Sequence, residues 1–302
     1  MSHLLLVLCG GRSSEREVSL RSGRAVAAAL PGSRLVELAE DALPAWVDPA
    51  AHAVLPMMHG GWGEGGGLQA ELEARGVAFS GSGSAASRLC MDKVATKSRL
   101  RAAGVPVAAE LAFAAGSPPT AAALVAALGP DVFLKPADQG SSVGLRRARG
   151  VAEVAAALAS LSPGGRWMAE PLLAGRELTV GILGDRALGV VEIVAAGGVY
   201  DYASKYTPGG SEHLAPAPLP EAVRAAVAGA AERAFAACGC RDVARVDLIL
   251  APDGGFHVLE VNTLPGMTEL SLLPDSARCA GLSYADLALR LAQPALRRAA
   301  HR

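Results

Sequence analysis

The sequence predicts an α/β protein, with an open parallel sheet at its start and a mixed α+β part after it. Three observations predict this. The chain opens as a strand, a glycine turn and a helix. Its later part strings short apolar strands between helices. One stretch near the end reads as a β-hairpin: the apolar runs Val246–Leu250 and Phe256–Val261 flank Ala251-Pro252-Asp253-Gly254-Gly255, and Asp-Gly and Gly-Gly favour the turn.

Composition narrows the function classes. At 302 residues there is room for about two or three domains. A formal net charge of −1 gives no electrostatic case for nucleic acid or an acidic membrane surface. The early apolar run Leu4–Cys9 is far too short to span a bilayer. No basic region precedes it, so a signal peptide is not expected. The five cysteines (Cys9, Cys90, Cys238, Cys240, Cys279) are scattered. Cys238-Gly239-Cys240 lacks the CxxC spacing of a metal or redox site, so reduced, buried thiols in the cytoplasm are expected.

Taken in order, His3–Cys9 is an apolar strand, and Gly10-Gly11-Arg12-Ser13-Ser14-Glu15-Arg16-Glu17-Val18-Ser19 leads into a helix to about Leu30. It lacks GxGxxG, so a Rossmann dinucleotide site is poorly supported. Glu15 on position alone is a first-turn acid favoured by the helix dipole. Ala53–Met58 is the next strand. His59-Gly60-Gly61-Trp62-Gly63-Glu64-Gly65-Gly66-Gly67-Leu68-Gln69 then forms a loop entering a helix. Its glycines allow close backbone approach to a ligand. His59 reads as a substrate contact or as an exposed or capping histidine. Met91-Asp92-Lys93 begins a helix, and Lys97, one turn on, is a surface lysine by default. Gly104-Val105-Pro106 ends a helix, and another lies near Thr120–Leu128.

Val132–Lys135 is a buried strand ending in lysine, and Gly140-Ser141-Ser142 makes a small flexible loop. A strand lysine beside a Gly-rich loop suits phosphate, although GxxxxGK[ST] is absent. Strands follow at Arg166–Leu173, Glu177–Ile182 and Arg186–Val194. Gly197 to Pro220 lacks secondary-structure periodicity yet holds three of the four tyrosines, including Tyr200-Asp201-Tyr202 and Lys205-Tyr206. Disordered loops are poor in aromatics, and a loop this long in a compact domain is usually functional, so an active-site lid is expected. Glu221–Ala237 is an amphipathic helix, and about Ser283–Arg298 closes the chain.

In the hairpin the strand period of two places Asp247 beside Glu260 and Asn262 on one face. Three hard oxygen ligands suit Mg²⁺ or Mn²⁺ and not zinc. The alternative is three polar groups facing water. Arg245 shares the face of Asp247; it reads as an oxyanion stabiliser or as an ion-pair partner of Glu260. Asn262-Thr263-Leu264-Pro265-Gly266-Met267-Thr268 is a poor strand and a poor helix, as suits a loop presenting backbone N–H groups beside the metal.

The stretch Glu260–Thr268 closely resembles the metal and substrate loop of the D-alanine–D-alanine ligases, of the ATP-grasp superfamily. Six further stretches resemble the family's motifs: Gly10–Leu20, His59–Gln69, Met91–Lys93, Lys135–Gly144, Glu170–Glu177 and Tyr200–Gly209. Gly65 stands where the family has Asp. The resemblance runs from Gly10 to about Leu291. It implies an ATP-grasp fold behind an N-terminal open parallel-sheet domain: 1–88 for substrate, 89–174 as the central ATP-grasp subdomain, and 175–302 carrying the metal site and lid. It implies ATP-dependent joining of two D-alanines through an acyl phosphate for peptidoglycan precursors, in a cytoplasmic homodimer. It further implies two Mg²⁺ or Mn²⁺ ions and leaves open a monovalent cation. Glu15 would bind the first substrate's ammonium, in a hydrogen-bond network with Ser141 and Tyr206. Lys93, Lys135 and Lys205 would contact ATP phosphates. Glu170, Leu173 and Glu177 would hold adenine and ribose. Arg245 and the Gly266 N–H would stabilise the oxyanion, and Ser271 with Leu272 would take the second carboxylate. Lys205-Tyr206 resembles dipeptide-forming members and not the D-lactate-using relatives.

Overall fold

The computed structural model describes residues 3–140, 144–162, 164–195, 197 and 209–301. Four strands, β1 (Leu4–Gly10), β2 (Arg34–Leu38), β3 (His52–Pro56) and β4 (Ala78–Phe79), make the expected parallel sheet in the order β2-β1-β3-β4. Parallel neighbours need crossovers, and α1 (Arg16–Ala29) supplies the first. Helices α2 (Gly61–Glu64) and α3 (Gly67–Ala74) lie between β3 and β4, so the glycine-rich segment after His59 is mostly helical, not an open loop.

Helices α4 (Ser84–Met91) and α5 (Lys93–Ala102) follow, and the Asp92 side chain caps α5 by accepting from the Ala95 N–H. An antiparallel sheet then forms in the order β5-β8-β6-β7, from β5 (Leu111–Ala114), β6 (Asp131–Pro136), β7 (Arg146–Arg149) and β8 (Arg166–Pro171). Helices α6 (Ala121–Leu128, capped by Thr120) and α7 (Gly150–Ala159) close its core around Leu124, Leu134 and Val154.

The third sheet has the order β11-β10-β9-β12-β13, from β9 (Arg176–Leu183), β10 (Arg186–Ala195), β11 (Ser211–Leu214), β12 (Val243–Leu250) and β13 (Phe256–Asn262). Its antiparallel hairpin β12-β13 turns at residues 251–255, where Gly254 has φ +87°. Helix α8 (Glu221–Ala237) packs Val227, Ala231 and Phe235 against Val180, Ile182 and Val246. Helix α9 (Leu272–Cys279) lies against Gly181, whose face alternates with that of Val180 and Ile182. The closing helix α10 (Tyr284–Ala300), begun by a Ser283/Asp286 capping box, returns to the first sheet and buries Leu287, Leu291 and Ala295 with Leu5 and Val7.

Three departures from the sequence reading have local causes. Strand β11 falls inside the stretch expected to lack secondary structure. Its sequence, Ser-Glu-His-Leu, has no strand pattern; pairing with β10 from Glu192↔Leu214 to Ala195↔Ser211 makes it a strand. Strands β2, β4 and β5 are short or mixed and carry little period-two signal. Helix α7 buries Val154 as its single fully buried residue, so its alanine-rich run has weak periodicity. Among the described residues, no helix is long and apolar enough to cross a membrane.

Candidate active site

One cleft of about 700 Å³ gathers side chains from all parts of the chain. Glu15 and His59 follow β1 and β3, and Glu64 ends α2. Lys93 begins α5. Arg245, Glu260 and Asn262 come from the hairpin, and Gly266 and Ser271 from the loop before α9. The metal and substrate residues expected from the sequence therefore converge, with exceptions set out below.

The hairpin pairs Asp247 with Glu260 and Arg245 with Asn262, and a register shift follows at Asp247/Leu248. A bulge of this kind re-aims side chains beside active sites. Arg245 clamps Asp247 in a two-pronged pair, Nε to Oδ1 at 2.9 Å and Nη2 to Oδ2 at 2.8 Å. Among the described residues its ion pair is with Asp247, not with Glu260 as the structural alternative expected. Thr179 on β9 also donates to Asp247 Oδ1, at 2.6 Å. Asp247 is thus buried behind the cleft wall, while Glu260 and Asn262 line it. Asn262 Oδ1 accepts from the Leu264 N–H at 3.0 Å, which turns the chain into the following loop. The donor set is all oxygen, so it fits a hard divalent cation, with Asp247 shared between Arg245 and that ion.

At the opposite wall, Glu15 sits at the N-terminal boundary of α1 and makes no capping bond with its side chain. It is buried, unlike an ordinary first-turn acid. His59 is buried too, which removes the exposed reading, and α2 has no side-chain cap, which removes the capping one. Burial lowers its pKa, with Glu15 opposing, so the ring is neutral near pH 7. Its Nε2 has no partner among the described residues. An unpaired buried nitrogen on a cleft wall is a ready contact for a bound molecule. Glu64 accepts from the Gly60 N–H at 3.0 Å. Burial, then Glu15, pushes its pKa to about 7. A Cβ at Gly140 would stand 3.8 Å from Glu64 Oε2 and 3.9 Å from Glu15 Oε2, so the loop after β6 passes close over both acids.

Gly65 has a steric reason. A Cβ there would lie 2.6 Å from the Gly61 carbonyl oxygen, so the α2 turn as built excludes a side chain.

The raised pKa of Glu64 has a stability consequence. The folded carboxyl holds its proton more tightly than the unfolded one. The resulting stabilisation is full below about pH 4.5 and is lost as pH rises through about 7. Without divalent metal, unfolding free energy is expected to fall over that window by ~3 kcal/mol at most. Glu64→Gln should remove most of that slope in urea titrations; an unchanged slope would assign it to other groups.

The residues expected from the sequence to hold ATP form a buried charge network around Glu170. Glu170 on β8 pairs with Lys135 on β6 and Lys97 on α5, one on each carboxylate oxygen. Lys97 is 1% exposed and also lies 3.5 Å from Glu110. Sequence reasoning took Lys97 for a surface lysine and, apart from the family resemblance, Glu170 for a surface acid; both are interior. Burial works against the charged form of Glu170, but Lys135 and then Lys97 hold its carboxyl below the usual range. The Lys93 ammonium donates to the Gln139 carbonyl. Burial lowers its pKa, and Glu260 opposes. Leu173 is half-buried between β8 and β9, and Glu177, the second residue of β9, pairs with Ile193 and Ile249.

Beyond Asn262 the chain is held as a formed loop. Thr268 donates its N–H to Ser271 Oγ at 3.0 Å, Met267 donates to Ser22 Oγ at 3.1 Å, and Tyr284 donates to the Met267 carbonyl at 2.5 Å. Ser271 stands at the N-terminal boundary of α9, and a Cβ on Gly266 would be 3.0 Å from its Oγ. Ser141, Lys205 and Tyr206 lie outside the described residues.

A family profile described as "D-ala D-ala ligase C-terminus" matches residues 100–293. A D-alanine–D-alanine ligase of Desulforudis audaxviator is 44% identical over 95% of this chain and 97% of its own length. That of Moorella thermoacetica is 42% identical over 97% and 99%. This chain belongs to the D-alanine–D-alanine ligase family. The crystal structure of the D-alanine–D-alanine ligase from Bacillus anthracis superposes with a TM-score of 0.83 at 29% identity, covering 99% of both chains. That of the VanG D-Ala:D-Ser ligase from Enterococcus faecalis gives 0.83 at 26%, covering 96% and 98%. The architecture is therefore that of the ATP-grasp D-alanine–D-alanine ligases, as the sequence reading expected.

Lys97, buried against Glu170, is the interior charge that sequence reasoning passed over. Its one available signal was position. It lies four residues after Lys93, hence one helical turn along the same face of α5.

Proposed function

We propose that this chain joins two molecules of D-alanine, with ATP, to give D-alanyl-D-alanine, ADP and phosphate. The observation that carries the reading is the convergence on one cleft of Glu15, the His59 nitrogen that has no partner among the described residues, Arg245, Glu260 and Lys93. Glu15 attracts the ammonium of the first D-alanine, and neutral His59 donates or accepts beside it. The first carboxylate attacks the γ-phosphate, ADP leaves, and an acyl phosphate forms. The amine of the second D-alanine then attacks the acyl carbon, and phosphate departs. Phosphoryl transfer needs alignment and charge neutralisation more than covalent help. Lys93, Lys135 and Lys205 supply fixed positive charge along the phosphates. Glu170, Leu173 and Glu177 hold the adenosine. Arg245 and the Gly266 N–H face the oxyanion of the second step. Ser271 and the start of α9 take the second carboxylate, as a helix N-terminus suits an anion. Tyr206 and Ser141 join Glu15 when the lid covers the acyl phosphate and excludes water.

Asp247, Glu260 and Asn262 would hold Mg²⁺ or Mn²⁺, which neutralises phosphate charge when bound. Two such ions are proposed, with a monovalent cation as an accessory ion to be tested by potassium titration. The working division is 1–88, 89–174 and 175–302, with α10 packed across onto the first sheet. A cytoplasmic homodimer making peptidoglycan precursors completes the reading, and sedimentation tests the dimer.

The deciding experiment is phosphate release from ATP and Mg²⁺ with D-alanine, L-alanine, D-alanine plus D-lactate, and D-alanine plus D-serine. Release with D-alanine alone, accompanied by the dipeptide, supports the reading. Release that needs another acceptor moves the substrate to a sibling ligase. No release with ATP still bound would replace it with a non-catalytic nucleotide-binding protein.

A further inference from the structure

Three of the five cysteines, distant in sequence, meet at the joint between the first sheet and the third. Cys90 lies in the last turn of α4, Cys238 closes α8, and Cys240 follows two residues on. The sulfurs of Cys90 and Cys240 are 3.7 Å apart. Cys238 is buried in the same core cluster, and Cys240 is partly exposed. The corner is braced on both sides. Arg241 donates to the Gly81 carbonyl at 2.7 Å, and the Gly81 N–H donates to Asp242 at 2.8 Å.

We propose that Cys90 and Cys240 form an oxidation site that closes to a disulfide with a hydroperoxide and slows the ligase. Sequence spacing hides this site, because the pairing runs through space and not through a CxxC motif. The sulfurs need only rotate and approach from 3.7 Å to about 2.05 Å. Cys240 is the attacking group. It is the more accessible of the two, and the Cys90 thiol, followed by Ser82, favours its thiolate. Its sulfur attacks the O–O bond of hydrogen peroxide, forming a sulfenic acid while the second oxygen leaves as water with the thiol's proton. Cys90 sulfur then attacks the sulfenyl sulfur, and the hydroxyl leaves as a second water with the Cys90 proton. Two thiols lose two electrons and one peroxide gains them.

The bond would act on the cleft through α4. Cys90 itself lines the cleft, and Lys93 stands three residues on. Asp92, between them, caps α5 and is paired with Arg166 at 2.6 Å. Drawing the end of α4 toward the 238–241 corner shifts this cap and the Lys93 ammonium. A displacement of about 1 Å at a positioning group can cost on the order of 100-fold in rate.

The test uses the full chain, freshly reduced, treated with hydrogen peroxide, alkylated and mapped by peptide mass. The turnover readout rests on the ligase reaction proposed above, so that reaction is measured first on reduced enzyme; the thiol map stands without it. The expected result is a mass loss of about 2 Da, a linked Cys90–Cys240 peptide, and a loss of most turnover that dithiothreitol restores. Cys240→Ser should keep its turnover through the same treatment. Should that variant fold poorly, the wild-type map and the dithiothreitol recovery still decide. The proposal is overturned if all five thiols stay open to alkylation. It is overturned equally if Cys238 takes the place of Cys240, if oxidation stops at single-cysteine acids, or if the linked enzyme turns over at the reduced rate.

Discussion

Replacing Glu260 with alanine is expected to cut turnover by about three orders of magnitude or more while leaving the melting temperature nearly unchanged. Glu260 stands on the cleft wall, half-buried, and no ion pair among the described residues uses it. Its carboxylate adds to the negative charge that raises the Glu64 pKa, so its removal relieves repulsion in the folded protein. What is lost is the oxygen ligand best placed to face the phosphates. Asp247→Ala should behave differently. Asp247 is buried and accepts from Arg245 and Thr179, so its loss removes a two-pronged ion pair and a buried hydrogen bond and destabilises the hairpin as well. Steady-state turnover at saturating Mg²⁺ with parallel thermal melts separates the two. Normal turnover in Glu260→Ala would remove the metal assignment; a collapsed melting temperature would make Glu260 structural.

The contrast between Glu260 and Asp247 also marks what the sequence could reveal. Strand periodicity put both acids on one face, and the hairpin turn was explicit in Asp253-Gly254-Gly255, so the pairing Asp247↔Glu260 was legible. Which neighbour each would choose was not. Arg245 turned to Asp247, two residues along the same strand face, whereas Glu260 sits on the neighbouring strand as the direct partner of Asp247. Likewise α8 was legible from its length and amphipathic pattern, and its bounds Glu221–Ala237 fall where that pattern stops. Strand β11 was not, because only β10 makes it a strand. Lys97 and Glu170 show the same limit in the interior. Charged residues are usually exposed, and a buried pair leaves no mark in local sequence because its partners lie 73 residues apart. The meeting of Cys90 with Cys240, 150 residues away, is hidden for the same reason.

The Lys97–Glu170–Lys135 network is where removing one side chain should cost the most stability. Glu170→Ala leaves two interior ammonium groups without their shared carboxylate, and among the described residues Lys97 keeps Glu110, at 3.5 Å. Breaking a buried pair from one side typically costs ~3 kcal/mol or more, because the remaining charge stays desolvated. A companion change that also removes the stranded charge, Glu170→Ala with Lys97→Met, is therefore expected to be more stable than Glu170→Ala alone. The pH dependence gives an independent check. Folding holds the Glu170 carboxyl below its unfolded value, which lies near 4.3. Its contribution is then full above that unfolded value and is lost as pH falls through the lower, folded one. Denaturant titrations from neutral to acidic pH should show wild type losing more stability than Glu170→Ala over that acid limb. If Glu170 also holds the adenine amino group, Glu170→Gln, which keeps the shape and loses the charge, should raise the KM for ATP more than that for D-alanine. Equal rises in both would make Glu170 a structural keystone of the β6–β8 pair and leave adenine recognition to the backbone near Leu173.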